Sequence, residues 1–200
     1  KCSEICPTLA MEMLGQRMTL TQVMAEVDKD APFYEQSGGG VTLSGGEPLS
    51  QAEFALALLK ACKQRGYHTA VDTSGFVPQQ VFEQVLPYVD LFLYDIKHLD
   101  AAPHEKYMQA PVAPIVANLR WLAGAGANIW LRLPYIPGVN DAPEHIARVG
   151  ALAAELGIRR AHLLPYHKLA AAKYIRLGLC YTLAGLAEPT EESVAAAADI

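Results

Sequence analysis

Short apolar runs alternate along the chain with longer stretches whose apolar positions recur at helical spacing. The runs Val41–Ser44, His68–Asp72, Leu91–Ile96, Ile129–Leu133 and Ala161–Pro165 read as strands. Between the first two, Phe54, Leu58, Leu59 and Cys62 share one face of a helix predicted over Gln51–Arg65. Ser50 with Glu53 reads as the capping box that opens this helix, and Gly66 closes it. Asp141 with Glu144 forms a similar box before a helix ending near Gly157, and Thr19 with Gln22 starts the first helix. Pro189 and Thr190 open another through "EESVAAAA". Strands alternating with helices predict βα units and a parallel sheet. No linker, repeat or low-complexity tract divides the chain, which reads as a single domain.

The C-terminal ends of the five predicted strands carry the polar residues. Ser44-Gly45-Gly46-Glu47 follows the first, Asp72-Thr73-Ser74-Gly75 the second and Asp95-Ile96-Lys97 the third. The fourth holds Arg132, and the fifth runs into Tyr166-His167-Lys168. Taken singly, an Asp at a strand end is ordinarily a turn residue, and a lone His is ordinarily a satisfied side chain. Five strands delivering such groups to one edge point to an α/β enzyme, because active sites of parallel sheets and barrels gather there. The stretch "SGGGVTLSGGEPLSQ" concentrates five of the fifteen glycines around the first strand. A phosphate loop needs Lys and then Ser or Thr after its second glycine, but Glu47-Pro48 stands here, and no dinucleotide fingerprint is present. A carboxylate beside exposed backbone carbonyls suits a cationic group such as an ammonium.

Composition narrows the partners. Two hundred residues with 52% hydrophobic content can bury a core. A net charge of −5 gives no electrostatic footprint for nucleic acid or an anionic membrane. No apolar run reaches the length of a membrane span. Four scattered cysteines and six histidines do not resemble a secreted disulfide framework, so a reducing cytoplasm is expected. The chain opens with Lys1-Cys2-x-x-x-Cys6-Pro7 and closes at Ile200 inside a predicted helix, so it is expected to be a piece of something longer.

"SGGGVTLSGGEPLSQ", "DTSGF", "LYDIKHLD", "LRLPYIPGVND" and "LLPYHKLAAAKY" resemble, in order, the strand-end motifs of glycyl-radical-enzyme activating enzymes of the radical S-adenosylmethionine superfamily. The likeness covers nearly the whole chain. It implies a partial (β/α)6 barrel, open on one side, with S-adenosylmethionine across the strand ends. It also implies reductive cleavage of that cofactor to a 5′-deoxyadenosyl radical, which takes a hydrogen from a backbone glycine of a partner glycyl radical enzyme. A flavodoxin or ferredoxin-type donor would supply the electron. By this resemblance Gly45, Gly46 and Glu47 hold the methionine ammonium. Asp72, Thr73 and Asp95 lie around the methionine carboxylate, where a monovalent cation can bridge Asp72 and Asp95 to it. Ile96 and Arg132 belong to the cofactor site, Lys97 contacts the cofactor, and His167 stands beside the adenosine. Lys97 and His167 are the candidate catalytic residues. His98, His104, His145 and His162 match nothing functional and read as surface or packing residues.

One motif departs from the family. Its members carry C-x3-C-x2-C, whose thiolates hold a 4Fe–4S cluster, and no third cysteine follows Cys2 and Cys6 at that spacing. Cys2-x3-Cys6-Pro7 resembles instead the end of a ferredoxin run. Residues 1–15 then read as the tail of a ferredoxin-like insert with an auxiliary 4Fe–4S cluster, and 16–200 as the barrel without its first strand. The radical cluster's ligands are expected upstream. Cys62 reads as core, and Cys180 has no assigned role. Two rivals are a radical enzyme acting on a small molecule and a non-catalytic remnant or scaffold.

Overall fold

The computed structural model describes residues 15–169, 174, 177–181, 183 and 185–200. Helices α1 (Leu20–Val27) and α2 (Ala31–Ser37) lead into β1 (Gly40–Leu43), α3 (Ala52–Gln64) and β2 (His68–Thr73). Then come α4 (Gln79–Val85), β3 (Leu91–Asp95), α5 (Ala101–Met108), α6 (Ala113–Gly124), β4 (Ile129–Tyr135), α7 (Pro143–Glu155), β5 (Arg160–Pro165) and α8 (Glu191–Ala198). All four pairings are parallel, and the sheet order is β1-β2-β3-β4-β5, the order of the sequence. Right-handed crossovers between neighbouring strands in that order put their helices on one face. The five predicted strands are all present, shifted by no more than two residues at an end. Cys2, Cys6 and the proposed insert tail up to residue 14 lie outside the described residues.

Register explains which residues are buried. Leu43, Val71 and Phe92 are successive partners across the sheet, and Phe92 pairs with Ile129. This face packs against Leu59, Phe82, Leu119 and Leu122 from the helices. Each large side chain fully removed from water contributes about 1.5–3 kcal/mol. The other face carries Thr42, Ala70, Asp72, Leu93, Asp95, Trp130, Arg132 and His162, because strand side chains alternate. Asp90 ties three elements. Lys63 Nζ donates to both of its oxygens at 2.8 Å, and Thr69 N–H donates at 2.7 Å.

Two expected caps are replaced. Pro48 starts a 3-10 turn over Pro48–Gln51, so α3 begins at Ala52 after that turn and Ser50 caps nothing. Glu47 is the cap of that turn, accepting from Leu49 N–H at 3.2 Å. Asp141 turns back to accept from Gly138 N–H at 2.9 Å, and Pro143 opens α7 after Ala142 without a side-chain cap. The Thr19–Gln22 box forms as expected, and Thr190 caps α8.

Gly40 lies close against β2, since a Cβ there would stand 1.9 Å from the His68 carbonyl oxygen. Gly40→Ala must push β1 from β2 and is expected to lower stability by about 1–3 kcal/mol in denaturant titration. Gly150→Ala, in α7 with open space around it, is expected to raise stability by about 0.5–1 kcal/mol. Equal effects of the two substitutions would contradict this packing.

Candidate functional site

Three strands bring two acids and one base together. Asp72 pairs with Leu93, and Asp95, two residues further along β3, pairs with Arg132. Arg132 Nε donates to Asp95 Oδ1 at 2.7 Å, while its Nη2 donates to Asp72 Oδ1. Ser44 Oγ, at the end of β1, donates to Asp72 Oδ2 at 2.9 Å. The three charged side chains keep only 16–22% of their surface exposed. Burial pushes the Asp95 carboxyl above its ordinary range, against the opposing pull of Arg132. Burial also works against the charge on Arg132, but Asp95 and Asp72 outweigh it and hold the guanidinium firmly protonated. The guanidinium is a countercharge for both acids.

The glycine turn lies beside this triad. Gly45 has φ +143°, and a Cβ built on Gly45 or Gly46 meets nothing within 4 Å. The turn is therefore bare backbone next to open space, free to approach a ligand. Glu47 is engaged from the other side. Thr73 Oγ1 lies 3.0 Å from both of its oxygens, and Ser74 donates to Oε2 through N–H at 2.9 Å and Oγ at 2.7 Å. With Leu49 N–H the carboxylate clasps the turn after β1 to the turn after β2. All of these contacts position the two turns against each other.

Behind the clasp, Gly75 at φ +77° packs on Tyr94, whose Oη would stand 1.9 Å from an added Cβ. Asn118 Nδ2 fixes this turn by donating to Gly75 O at 2.9 Å and Val77 O at 2.8 Å. Ile96 is buried in the core, and its N–H donates to Arg132 O at 2.9 Å, so its contribution is backbone position. Lys97 follows and, with Ser74, Phe76, Asp95, His104 and Met108, lines a cavity of about 150 Å³. Asn140, 1% exposed, donates from Nδ2 to Lys97 O at 2.8 Å and accepts from Ile136 N–H at 2.8 Å. His167 stands exposed in the connection after β5. Thus Gly45, Gly46, Glu47, Asp72, Thr73, Asp95, Lys97 and Arg132 gather at one edge, while no hydrogen bond among the described residues ties His167 to them. Sequence reasoning missed Asn118 and Asn140. Asn140 had a faint signal in the Pro-Gly-x-Asn turn, and Asn118 in the middle of a helix had none.

His98, His104 and His145 are buried, and His162 is exposed beside Trp130. Cys62 is fully buried next to Met24, and burial raises its thiol pKa. Cys180 is exposed. The described residues therefore offer no thiolate set for an iron–sulfur cluster. They do fit an amino-acid zwitterion. Open backbone at Gly45 and Gly46 suits an ammonium, and the cationic Arg132 and Lys97 suit a carboxylate.

Arg132→Met keeps the apolar stem and deletes the charge, leaving Asp72 and Asp95 face to face. A carboxyl whose folded pKa lies above its unfolded value favours folding below the unfolded value and loses that contribution as pH rises through the folded one. The variant is expected to lose about 2 kcal/mol at about pH 7.5, less than the 3–5 typical of fully buried pairs. The gap to the parent protein should narrow as pH falls and Asp95, whose carboxyl burial holds above its ordinary range, takes up its proton. Thermal unfolding across pH checks this, and a gap independent of pH would remove the electrostatic account.

The sequence profile described as the radical SAM superfamily matches residues 5–149. The choline trimethylamine-lyase activating enzyme of Oleidesulfovibrio alaskensis is 40% identical over 183 residues, covering 90% of this chain and 59% of that protein. The isethionate sulfite-lyase activating enzyme of Nitratidesulfovibrio vulgaris is 43% identical over 175 residues, covering 86% and 57%. A solved domain of the pyruvate-formate lyase-activating enzyme from Bacteroides vulgatus superposes with a TM-score of 0.67 at 32% identity, covering 80% of this chain and 91% of that one. A radical SAM methyltransferase from Sphaerobacter thermophilus shares the fold at a TM-score of 0.67 and 15% identity. The chain spans a little under three fifths of the length of the first two relatives. The parallel sheet, its helices and this profile match together place the chain in one family: it belongs to the radical SAM superfamily.

Proposed function

We propose that this chain carries the S-adenosylmethionine-holding part of an activating enzyme, which makes a 5′-deoxyadenosyl radical and takes a hydrogen atom from a backbone glycine of a partner glycyl radical enzyme. The observation that carries the reading is the charge arrangement at the strand ends: open backbone at Gly45 and Gly46 beside the Asp72–Arg132–Asp95 bridge. Similarity to activating enzymes of several glycyl radical enzymes supports the same reading. An iron–sulfur cluster, held by residues other than those described, supplies the reducing electron in such chemistry.

The chain's own residues bind and orient. The carbonyls of the glycine turn accept from the methionine ammonium, and Glu47 keeps that turn at a fixed distance from β2 through Thr73 and Ser74. Lys97 and Arg132 face the methionine carboxylate, with Lys97 held by Asn140 through its own carbonyl. Asp72 and Asp95 keep Arg132 in place and, if a monovalent cation enters, supply its oxygen ligands. His167 lies on the adenosine side. In this reading Cys2 and Cys6 bind an auxiliary cluster in an insert tail over residues 1–15, with the barrel over 16–200. A flavodoxin or ferredoxin-type donor serves the protein in the cytoplasm. Among the described residues no helix is long and apolar enough to cross a membrane.

Gly46→Val fills the open turn with a branched side chain, and Lys97→Ala removes a donor. Each is expected to weaken S-adenosylmethionine binding in calorimetric titration of the protein by at least about tenfold, since hydrogen bonds to charged groups are worth about 1.5–3 kcal/mol. Unfolding midpoints should stay near the parent value, because a Cβ at Gly46 has no neighbour. Parent affinity in both variants would sink this cofactor site.

A further inference from the structure

One cluster of chemically capable side chains remains unused by the cofactor site. His98 and Asp100 stand two residues apart in the connection between β3 and α5, and His145 reaches them from the first turn of α7. One potential ligand atom from each lies within 4.8 Å of the others, and no other group of three His, Cys, Asp or Glu among the described residues converges this closely. We propose that His98, Asp100 and His145 form a binding site for a divalent transition-metal ion of the Fe2+, Co2+ or Zn2+ class.

The first argument is an orphan. His145 is 4% exposed, and neither of its ring nitrogens has a hydrogen-bond partner among the described residues. Buried polar atoms are nearly always paired, so two unpaired nitrogens on one buried ring call for an occupant. The second argument is the donor set. Two imidazoles and one carboxylate select borderline transition ions over Mg2+ and Ca2+, which take oxygen ligands. The third is the surrounding shell. Arg148 grips Asp100 with two hydrogen bonds of 3.0 and 2.7 Å, as outer-shell partners orient ligating carboxylates. The Asp100 side chain stays 46% exposed and offers a path from solvent.

Binding requires a defined rearrangement. The two rings stack with centroids 4.2 Å apart and planes at 24°, whereas an ion sits in the plane of each ring it binds. The rings must part, and His145 can turn because no hydrogen bond tethers it. His98 Nδ1 now accepts from Asp100 N–H at 2.9 Å and would exchange that bond for the ion. The occupied site would pin the loop after Lys97 to α7, coupling metal to the loop that carries a cofactor-facing lysine.

Metal-stripped protein titrated with Co2+ tests this, with bound cobalt measured after equilibrium dialysis and its visible absorption recorded. The expected result is an ion retained by the parent protein, with the ligand-field bands of nitrogen and oxygen donors. Asp100→Asn and His145→Leu should each weaken retention by at least about tenfold, and His162→Ala should leave it unchanged. Without metal, His145→Leu should unfold no earlier than the parent protein, since it replaces two unpaired nitrogens by an apolar group of similar volume. If that variant does not fold, Asp100→Asn at the partly exposed position decides alone. Failure of the parent to retain Co2+, or equal retention in the folded variants, would overturn the proposal.

Discussion

A guanidinium held between carboxylates on two neighbouring strands sets the geometry of the whole polar edge. Asp72 and Asp95 project from the same face of adjacent strands and would repel each other if Arg132, one strand further, did not lie between them. The pair distances fix the relative height of β2, β3 and β4 at their C-terminal ends. Ser44 extends the same arrangement to β1 through Asp72. The glycine turn and Lys97 are both attached to strands whose ends this bridge aligns. In a sheet, a shift by one residue would carry these side chains to the helix-covered face, so the ion bridge and the apolar pattern specify the same register.

Around that bridge the molecule uses buried amides and one clasping carboxylate rather than further charges. Glu47 joins the first two strand ends, Asn118 fixes the turn after the second, and Asn140 fixes the backbone at Lys97. Each satisfies backbone groups that a tight turn leaves without a partner. The arrangement is rigid where a ligand's polar end must be matched and open where Gly45 and Gly46 present bare backbone. Rigid support around an open first contact is what positioning chemistry requires.

Much of this was legible in the sequence, for specific reasons. The strands were readable because each carries a short apolar run ending in a polar motif, as "LYDIKHLD" does. The site residues were readable because parallel sheets collect chemistry at strand ends. The partnerships were not. Asp72, Asp95 and Arg132 were each named, but that Arg132 serves as countercharge to both acids depends on three-strand register. The caps at Ser50 and Asp141 misled because a proline nearby reset the start of each helix. Asn118 is three-dimensional information only, since its two acceptors, Gly75 and Val77, lie more than forty residues earlier in the chain.

The coincidence of sheet order with chain order bears on how the protein is made. Each strand pairs with the one synthesised just before it, so a chain emerging from the ribosome can extend the sheet stepwise without threading a strand into a preformed gap. The charges do not arrive evenly. The second and third strands deliver both acids, and their neutralising arginine follows only with the fourth. An assembly intermediate stopped after the third strand therefore carries an uncompensated pair of carboxylates. Docking of the fourth strand relieves it, so that the step which completes the charge balance leaves one strand of the five still to be added.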